Sequence, residues 1–311
     1  MVDLAQKLVR RLRPLASRAS AAYWRLAPHP PLDRVHTRMV RLRNRLRYGV
    51  DTVHMFRVVE IEINSMCNRK CPYCPNSFAS RPSGFMSREL FDRIIAELSE
   101  IGFDGRISYH FYGEPLLDRR LPDLVSYTKE HLPDATPEIV SNGDFLDLER
   151  FRDYLRRGLD HFLITQHDNA MPRNLQSLVD AITDDEREHI TIRFARDRKM
   201  INRSGLIERF GRPDGSLAVP CDWALTSMVV TFEGNVVLCC NDYFEKEVMG
   251  NVASGSLRDV WTGARFTALR EALSRGDRTQ SELCRPCDYV PEGVKRERIV
   301  PVRRGLLARI L

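Results

Sequence analysis

Three cysteines fall within eight residues, Cys67-Asn68-Arg69-Lys70-Cys71-Pro72-Tyr73-Cys74, directly after the alternating run Val58-Val59-Glu60-Ile61-Glu62-Ile63. The run reads as a strand, which puts the thiols in a tight loop at its C-terminal end. A loop of this length can wrap three thiolates around three irons of a cuboidal cluster and leave the fourth iron without a protein ligand. A reactive metal centre needs such an open position, by the logic of a catalytic zinc. Structural zinc is the alternative, although no fourth Cys or His follows closely. The chain has eight cysteines, and its N-terminus shows no secretory pattern. Clustered thiols in a cytoplasmic chain, the location expected here, are metal ligands or redox groups more often than disulfide partners.

The strand and its loop open a repeating pattern. Ser87 caps a helix carrying Leu90, Phe91, Ile94, Ile95 and Leu98, which ends at Gly102. Strands are predicted at 107–111, 138–141, 161–165 and 189–194, with helices at 119–131, 147–157 and 173–183 between them. This α/β alternation implies a parallel sheet with crossover helices, open or curled into a partial barrel. Chemistry in such sheets gathers at the C-terminal strand ends. After about residue 212 the texture changes to a hairpin over 228–238, then a helix from Ser256 to Leu273 and a Cys-x-x-Cys turn. A small second domain is therefore placed at 213–294.

The cysteine spacing, with Tyr73 before the last thiol, is similar to the hallmark of the radical S-adenosylmethionine superfamily. Tyr112-Gly113-Glu114-Pro115 resembles that superfamily's Gly-Gly-Glu-Pro motif, which holds the amino group of the methionine moiety; Tyr112 replaces the first glycine. Ser141-Asn142-Gly143 resembles a second recurrent position facing S-adenosylmethionine. The resemblance implies a partial (β/α)6 TIM-like barrel over 58–212, with Cys67, Cys71 and Cys74 on a catalytic 4Fe–4S cluster. It also implies an external one-electron reductant such as flavodoxin or ferredoxin, and reductive cleavage of the cofactor to a 5′-deoxyadenosyl radical that abstracts a hydrogen atom from a small-molecule substrate. Cys221, Gly234 and Cys239 are spaced like the opening of the SPASM auxiliary-cluster domain. The chain has no cysteine after Cys287, so 213–294 resembles the shortened twitch version. Cys221, Cys239, Cys284 and Cys287 would then hold an auxiliary 4Fe–4S cluster, with a four-cysteine zinc site as the alternative.

Cys240 is left over, as a small buried packing residue or as a hydrogen-atom donor to a substrate radical. On an extended strand its side chain points away from that of Cys239. Gln166 and His167 stand where a strand ends and are candidates to face substrate, His167 as an acceptor of a hydroxyl proton. The plainer reading is a loop in which Asp168 or Asn169 caps the next helix. Arg193 lies within a strand and faces cofactor and substrate if it points inward.

Charge is uneven. Residues 1–58 hold 13 Lys and Arg against three Asp, whereas the remainder holds 35 basic against 39 acidic residues. Segment 1–57 is a basic extension whose residues 1–29 have amphipathic-helix spacing, ended by Pro28, Pro30 and Pro31; 295–311 is a basic tail. Both suit a solvated basic surface or a peripheral contact with an anionic membrane face. No run of about 18 apolar residues predicts a membrane span, and no nucleic-acid motif accompanies the basic segments. The twitch-like spacing resembles that of radical dehydrogenases that oxidise a secondary alcohol of a sugar or aminocyclitol. Radical epimerisation of a sugar, with Cys240 as donor, and modification of a ribosomal peptide are the alternatives.

Overall fold

The computed structural model describes residues 30–168, 170–197, 199–211, 216–291 and 301–302. The helix expected over 1–29 and most of the basic tail lie outside the described residues. The chain divides into two compact units, 1–53 and 54–311. In the first, helix α1 (Pro30–Tyr48) begins on prolines that were expected to end a helix. Proline suits a first helical turn, where its missing N–H has no partner in any case. The buried Asn44 amide donates to the Thr52 carbonyl at 2.8 Å and fixes the turn after α1.

The second unit is a sheet flanked by helices. Its elements are β1 (Val58–Ile61), α2 (Arg88–Glu100), β2 (Arg106–Ser108), α3 (Leu121–His131), β3 (Thr136–Ser141), α4 (Leu148–Arg156), β4 (His161–Gln166), α5 (Arg173–Ala181), α6 (Asp184–Arg187) and β5 (Ile190–Phe194). There follow β6 (Ser216–Leu217), α7 (Trp223–Thr226), β7 (Ser227–Val230), β8 (Asn235–Val237), β9 (Val248–Asn251), α8 (Leu257–Thr262), α9 (Ala264–Ser274) and β10 (Pro301–Val302). Strands β6 and β10 form a separate antiparallel pair.

The large sheet runs β5-β4-β3-β2-β1-β7-β8-β9. Strands β1 to β5 are parallel in sequence order, as the half-barrel reading requires. The sixth parallel strand is β7, on the other flank of β1 with Val59 opposite Met228. The hairpin assigned to a second domain therefore continues the barrel's own sheet. Sequence periodicity could not reveal this, because pairing across about 170 residues leaves no local signal.

Period-two alternation sorts the faces. Val59, Ile61, Ile107, Ile139, Phe162, Ile164, Met228 and Val230 turn to the helices and form the main core with Phe91, Ile94, Ile95 and Leu98 of α2. The opposite face carries Glu60 of β1 and, just beyond the strand, Glu62, both buried as well. Ser87 caps α2 as expected, its hydroxyl accepting from the Leu90 N–H at 3.1 Å. The helix expected from Ser256 to Leu273 is broken at Gly263, whose extended ψ of 142° separates α8 from α9. Among the described residues no helix is long and apolar enough to cross a membrane.

Trp261 anchors the C-terminal helices. It is fully buried, meets Phe56 and Phe266 edge-on at 5.1 and 5.0 Å, and donates its indole N–H to the His54 carbonyl. Trp261→Ala should lower the unfolding free energy by about 3–5 kcal/mol, read as a fall in the urea midpoint.

Candidate active site

The cysteine loop is fixed at its root by Asn64. Its side-chain oxygen accepts from the Met66 N–H at 3.0 Å, and its amide donates to the Glu114 carbonyl at 3.0 Å. The Glu114 N–H returns a bond to the Met66 carbonyl at 2.7 Å. This crossing requires glycine at 113, since a Cβ there would lie 2.1 Å from the Asn64 carbonyl oxygen. The Glu114 carboxylate is buried and accepts from Ser141 Oγ (2.7 Å), the Leu116 N–H (3.0 Å) and the Asn142 N–H (2.9 Å). Burial pushes its pKa up against the pull of these donors. Glu114, Ser141 and Asn142, expected to share a cofactor site, are thus joined directly, and Pro115 opens the short turn that follows.

A second clamp was not foreseen from the sequence. Arg69, between the first two cysteines, pairs with Asp144 (2.5 and 2.7 Å) and Asp168 (2.9 and 3.1 Å), which follow β3 and β4. Asn68 joins it, donating to Asp144 at 2.6 Å and accepting from Asn142 at 2.9 Å. Asp168 therefore holds the cysteine loop and caps no helix; α5 starts after Pro172, and Asn169 lies outside the described residues. The Tyr73 hydroxyl is hydrogen-bonded to His167 Nδ1, which ties the loop to the end of β4. Gln166 lies on the strand face of Phe162 and Ile164, its side-chain oxygen accepting from the Asp168 N–H at 2.9 Å.

The barrel's inner face is charged. Register sets Glu60 beside Ser108 and Ser108 beside Glu138, and Ser108 Oγ is bonded to His110 Nδ1 at 2.8 Å. Arg193 faces inward too, donating to Thr165 Oγ1 at 3.1 Å, and the Arg203 guanidinium lies 5.7 Å from the Tyr112 ring. Burial pushes Glu60 up to about 7, opposed by Arg106 and Arg203. Burial, with Arg106, Arg203 and Arg193 close by, pushes His110 down to about 3. Among the described residues, Glu60 Oε2 and Tyr112 Oη are buried without a hydrogen-bond partner, as is Gln166 Nε2 on the other face of the sheet. A buried polar atom left unmatched costs free energy unless a ligand or water meets it, so this interior suits a small polar molecule. Glu60, His110, Glu138 and Arg203 escaped the sequence reading; only the inward phase of β1, β2 and β3 could have flagged the first three.

Above this interior, Tyr112, Phe111, Val229, Val237 and Tyr243 form a small apolar cluster against which Cys74 and Cys240 both pack. Tyr112 meets Tyr243 edge-on at 4.8 Å, and its carbonyl accepts from Asn76 at 2.8 Å. Cys239 packs on the main core instead. The two neighbours do point apart, although β8 ends at Val237 and they sit in the following turn. Cys221, Cys239, Cys284 and Cys287 line one small cavity. Buried Arg278 braces its walls, donating to the Val219, Pro220 and Cys287 carbonyls. Burial raises the pKa of Cys71 to about 11 and of Cys284 to about 12, so metal loading must displace protons from these thiols. Among the described residues no three Cys, His, Asp or Glu side chains close on a single metal ion. Four thiols around a cavity suit a cuboidal cluster, in which each thiolate takes a different iron.

Three thiols in a strand-end loop beside the Glu114 cradle, and four more around a separate cavity, are the residue types that an iron–sulfur enzyme uses. Residues 61–191 match the model of the radical SAM superfamily, and 221–288 that of SPASM, an iron-sulfur cluster-binding domain. Over 240 residues, 76% of this chain and 94% of the relative, the sequence is 37% identical to S-adenosyl-L-methionine-dependent 2-deoxy-scyllo-inosamine dehydrogenase of Niallia circulans. The crystal structure of BtrN in complex with AdoMet and 2-DOIA is similar with a TM-score of 0.71, at 36% identity over 76% of this chain and 94% of that one. BtrN in an open conformation gives 0.60 at 35% identity over the same shares. The chain belongs to the radical SAM superfamily and carries a SPASM domain. It is an oxidoreductase that uses S-adenosyl-L-methionine, a catalytic 4Fe–4S cluster and an auxiliary iron–sulfur cluster.

Glu60 supplies a pH test. Its folded pKa of about 7 lies above the ordinary 4.5. Its contribution to stability is complete below pH 4.5 and is lost as pH rises through 7. Glu60→Gln should be near neutral at pH 4.5 and stabilising by about 1–3 kcal/mol at pH 8, measured by urea denaturation at both values.

Proposed function

We propose that the enzyme oxidises a secondary alcohol of an aminocyclitol or sugar to a ketone. The observation that carries this reading is the charged barrel interior, with an unpartnered Glu60 oxygen, beneath a mouth where Cys74 and Cys240 share one cluster. The Glu138 carboxylate, paired with Arg106 at 3.1 Å, also suits a substrate ammonium group, and guanidinium groups at 193 and 203 suit hydroxyl oxygens. The 37% identity to an aminocyclitol dehydrogenase over nearly all of that protein agrees with it.

In this reading Cys67, Cys71 and Cys74 hold the catalytic cluster, and Cys221, Cys239, Cys284 and Cys287 the auxiliary one. Tyr73, the Tyr112–Pro115 turn, Ser141 and Asn142 cradle S-adenosylmethionine. The bound groups supply hydrogen-atom abstraction and an acceptor for the second electron. The chain's own residues do the rest. Arg203 and Arg193 orient the substrate, the Phe111–Tyr112–Tyr243 cluster excludes water from the mouth, and a carboxylate or imidazole takes the hydroxyl proton. Glu60 Oε2 is better suited to that proton than His167, since His167 Nδ1 is already bonded to Tyr73 and a pKa of about 7 matches a base at neutral pH. An external reductant such as flavodoxin or ferredoxin supplies the priming electron. The basic termini offer a peripheral contact with an anionic membrane on the cytoplasmic side.

Cys240 favours a second reading, radical epimerisation, because its side chain packs at the barrel mouth beside Tyr112 rather than with Cys239. Reaction with a substrate deuterated at the reacting carbon decides. Dehydrogenation gives a ketone and transfers the label to 5′-deoxyadenosine, whereas epimerisation returns an alcohol with hydrogen from solvent at that carbon. In Cys240→Ala the ketone should form undiminished; full cofactor cleavage without normal product would sink the dehydrogenase reading. The anaerobically reconstituted chain should hold about eight iron and eight sulfide. Replacing Cys67, Cys71 and Cys74 by Ala should halve that and abolish cofactor cleavage; about four iron with stoichiometric zinc in the unaltered chain would refute the auxiliary assignment.

A further inference from the structure

Asn241 follows directly on Cys239 and Cys240 and is buried. Its backbone N–H donates to Cys239 Sγ at 3.4 Å, and its side-chain amide donates to Cys287 Sγ at 3.9 Å. Its side-chain oxygen accepts from the Arg203 guanidinium at 3.1 Å. One side chain therefore touches the four-thiol cavity with its donor end and the substrate-side cation with its acceptor end.

Arg203 is held there deliberately. Arg203 and Ser204 both adopt left-handed backbone, φ 49° and 56°, a conformation that residues with a Cβ adopt only when their surroundings enforce it. The enforcement comes from fully buried Asn202. Its N–H donates to Asp288 at 2.8 Å, its amide to the Pro286 and Gly211 carbonyls at 2.7 and 3.0 Å, and its oxygen accepts from the Gly205 N–H at 3.1 Å. Pro286 and Asp288 flank Cys287. The turn carrying Arg203 is thus anchored to the Cys287 segment through Asn202 and to the Cys239 segment through Asn241.

We propose that Asn241 is a positioning residue that tunes the auxiliary cluster: its amide N–H to the Cys287 thiolate raises the cluster's reduction potential, while its carbonyl oxygen holds Arg203 toward the substrate pocket. A hydrogen bond to a cluster sulfur stabilises the reduced form, which carries one more negative charge, over the oxidised form. The link keeps the guanidinium, whose charge favours the reduced state, at a fixed place between substrate and cluster.

This rests on the auxiliary-cluster reading, and the experiment separates the two. The full chain with Cys67, Cys71 and Cys74 replaced by Ala leaves the auxiliary cluster as its one iron–sulfur group, whose midpoint follows from an EPR-monitored redox titration. Asn241→Leu, of similar size but without polar atoms, should lower the midpoint so that the reduced-to-oxidised ratio at a fixed potential falls about tenfold, equivalent to about 59 mV for one electron. Asn241→Asp keeps an acceptor for Arg203 and loses the donor, and should lower the midpoint as well. Asn241→Gln, which restores an N–H, should recover part of the shift. An unchanged midpoint in both Leu and Asp variants with full iron would overturn the proposal. If the Leu variant loses iron, Asn241→Ala, which also lacks the donor and adds no charge, decides in its place. Zinc in place of iron in the parent chain would instead overturn the cluster assignment.

Discussion

A carboxylate taken out of water must be met by donors, and Glu114 is met by three, from the turn after β2 and from the end of β3. That buried anion holds the turn after β2 against the end of β3, while the crossed bonds between Asn64, Met66 and the Glu114 backbone hold the root of the cysteine loop against the same point. Without it, three strand ends would have no common reference, and the thiols would ride on a free loop. The Arg69 clamp on Asp144 and Asp168 extends the arrangement to β4. Reactive chemistry at a cluster needs such preorganisation, because small displacements of the substrate carbon are costly in rate.

What the sequence disclosed follows from the range of each signal. The cysteine triplet, the Ser87 cap, the alternation of strands and helices from β1 to β5 and the Tyr112–Pro115 turn are local patterns, and each was legible. Glu60, His110 and Glu138 were not, because a charged residue in a strand reads as solvent-facing by default, and only closure of the sheet makes the inner face a buried pocket. Arg69 looked like an ordinary loop cation, since its partners lie 75 and 99 positions away. Asn241 carried no motif, and its two contacts depend on how separate turns meet. The pairing of β1 with β7 was hidden for the same reason.

The two thiol sets differ in their surroundings. The triplet lies in a loop clamped by ion pairs at the protein's edge, with Arg69 about one-fifth exposed. The quartet lines a cavity walled by Arg278, Trp223 and Tyr289. A cluster that must meet a cofactor and a reductant needs an accessible side, whereas one that only stores or accepts charge is better shielded from water. Cys284 and Cys287 of the quartet are buried, whereas all three thiols of the triplet are half-buried, a contrast in keeping with the proposed division between a catalytic and an auxiliary cluster.

The placement of β7 has an evolutionary consequence. A domain joined only by a linker can be gained or lost by recombination without harm to its neighbour, but β7 hydrogen-bonds along the whole of β1. A chain ending before it would bare the edge of β1 in the middle of its sheet, an invitation to pair with other chains and aggregate. An ancestor could shed the auxiliary thiols one by one, yet it could not discard the segment that bears them. Relatives without the second cluster are therefore expected to keep a cysteine-free hairpin in this place.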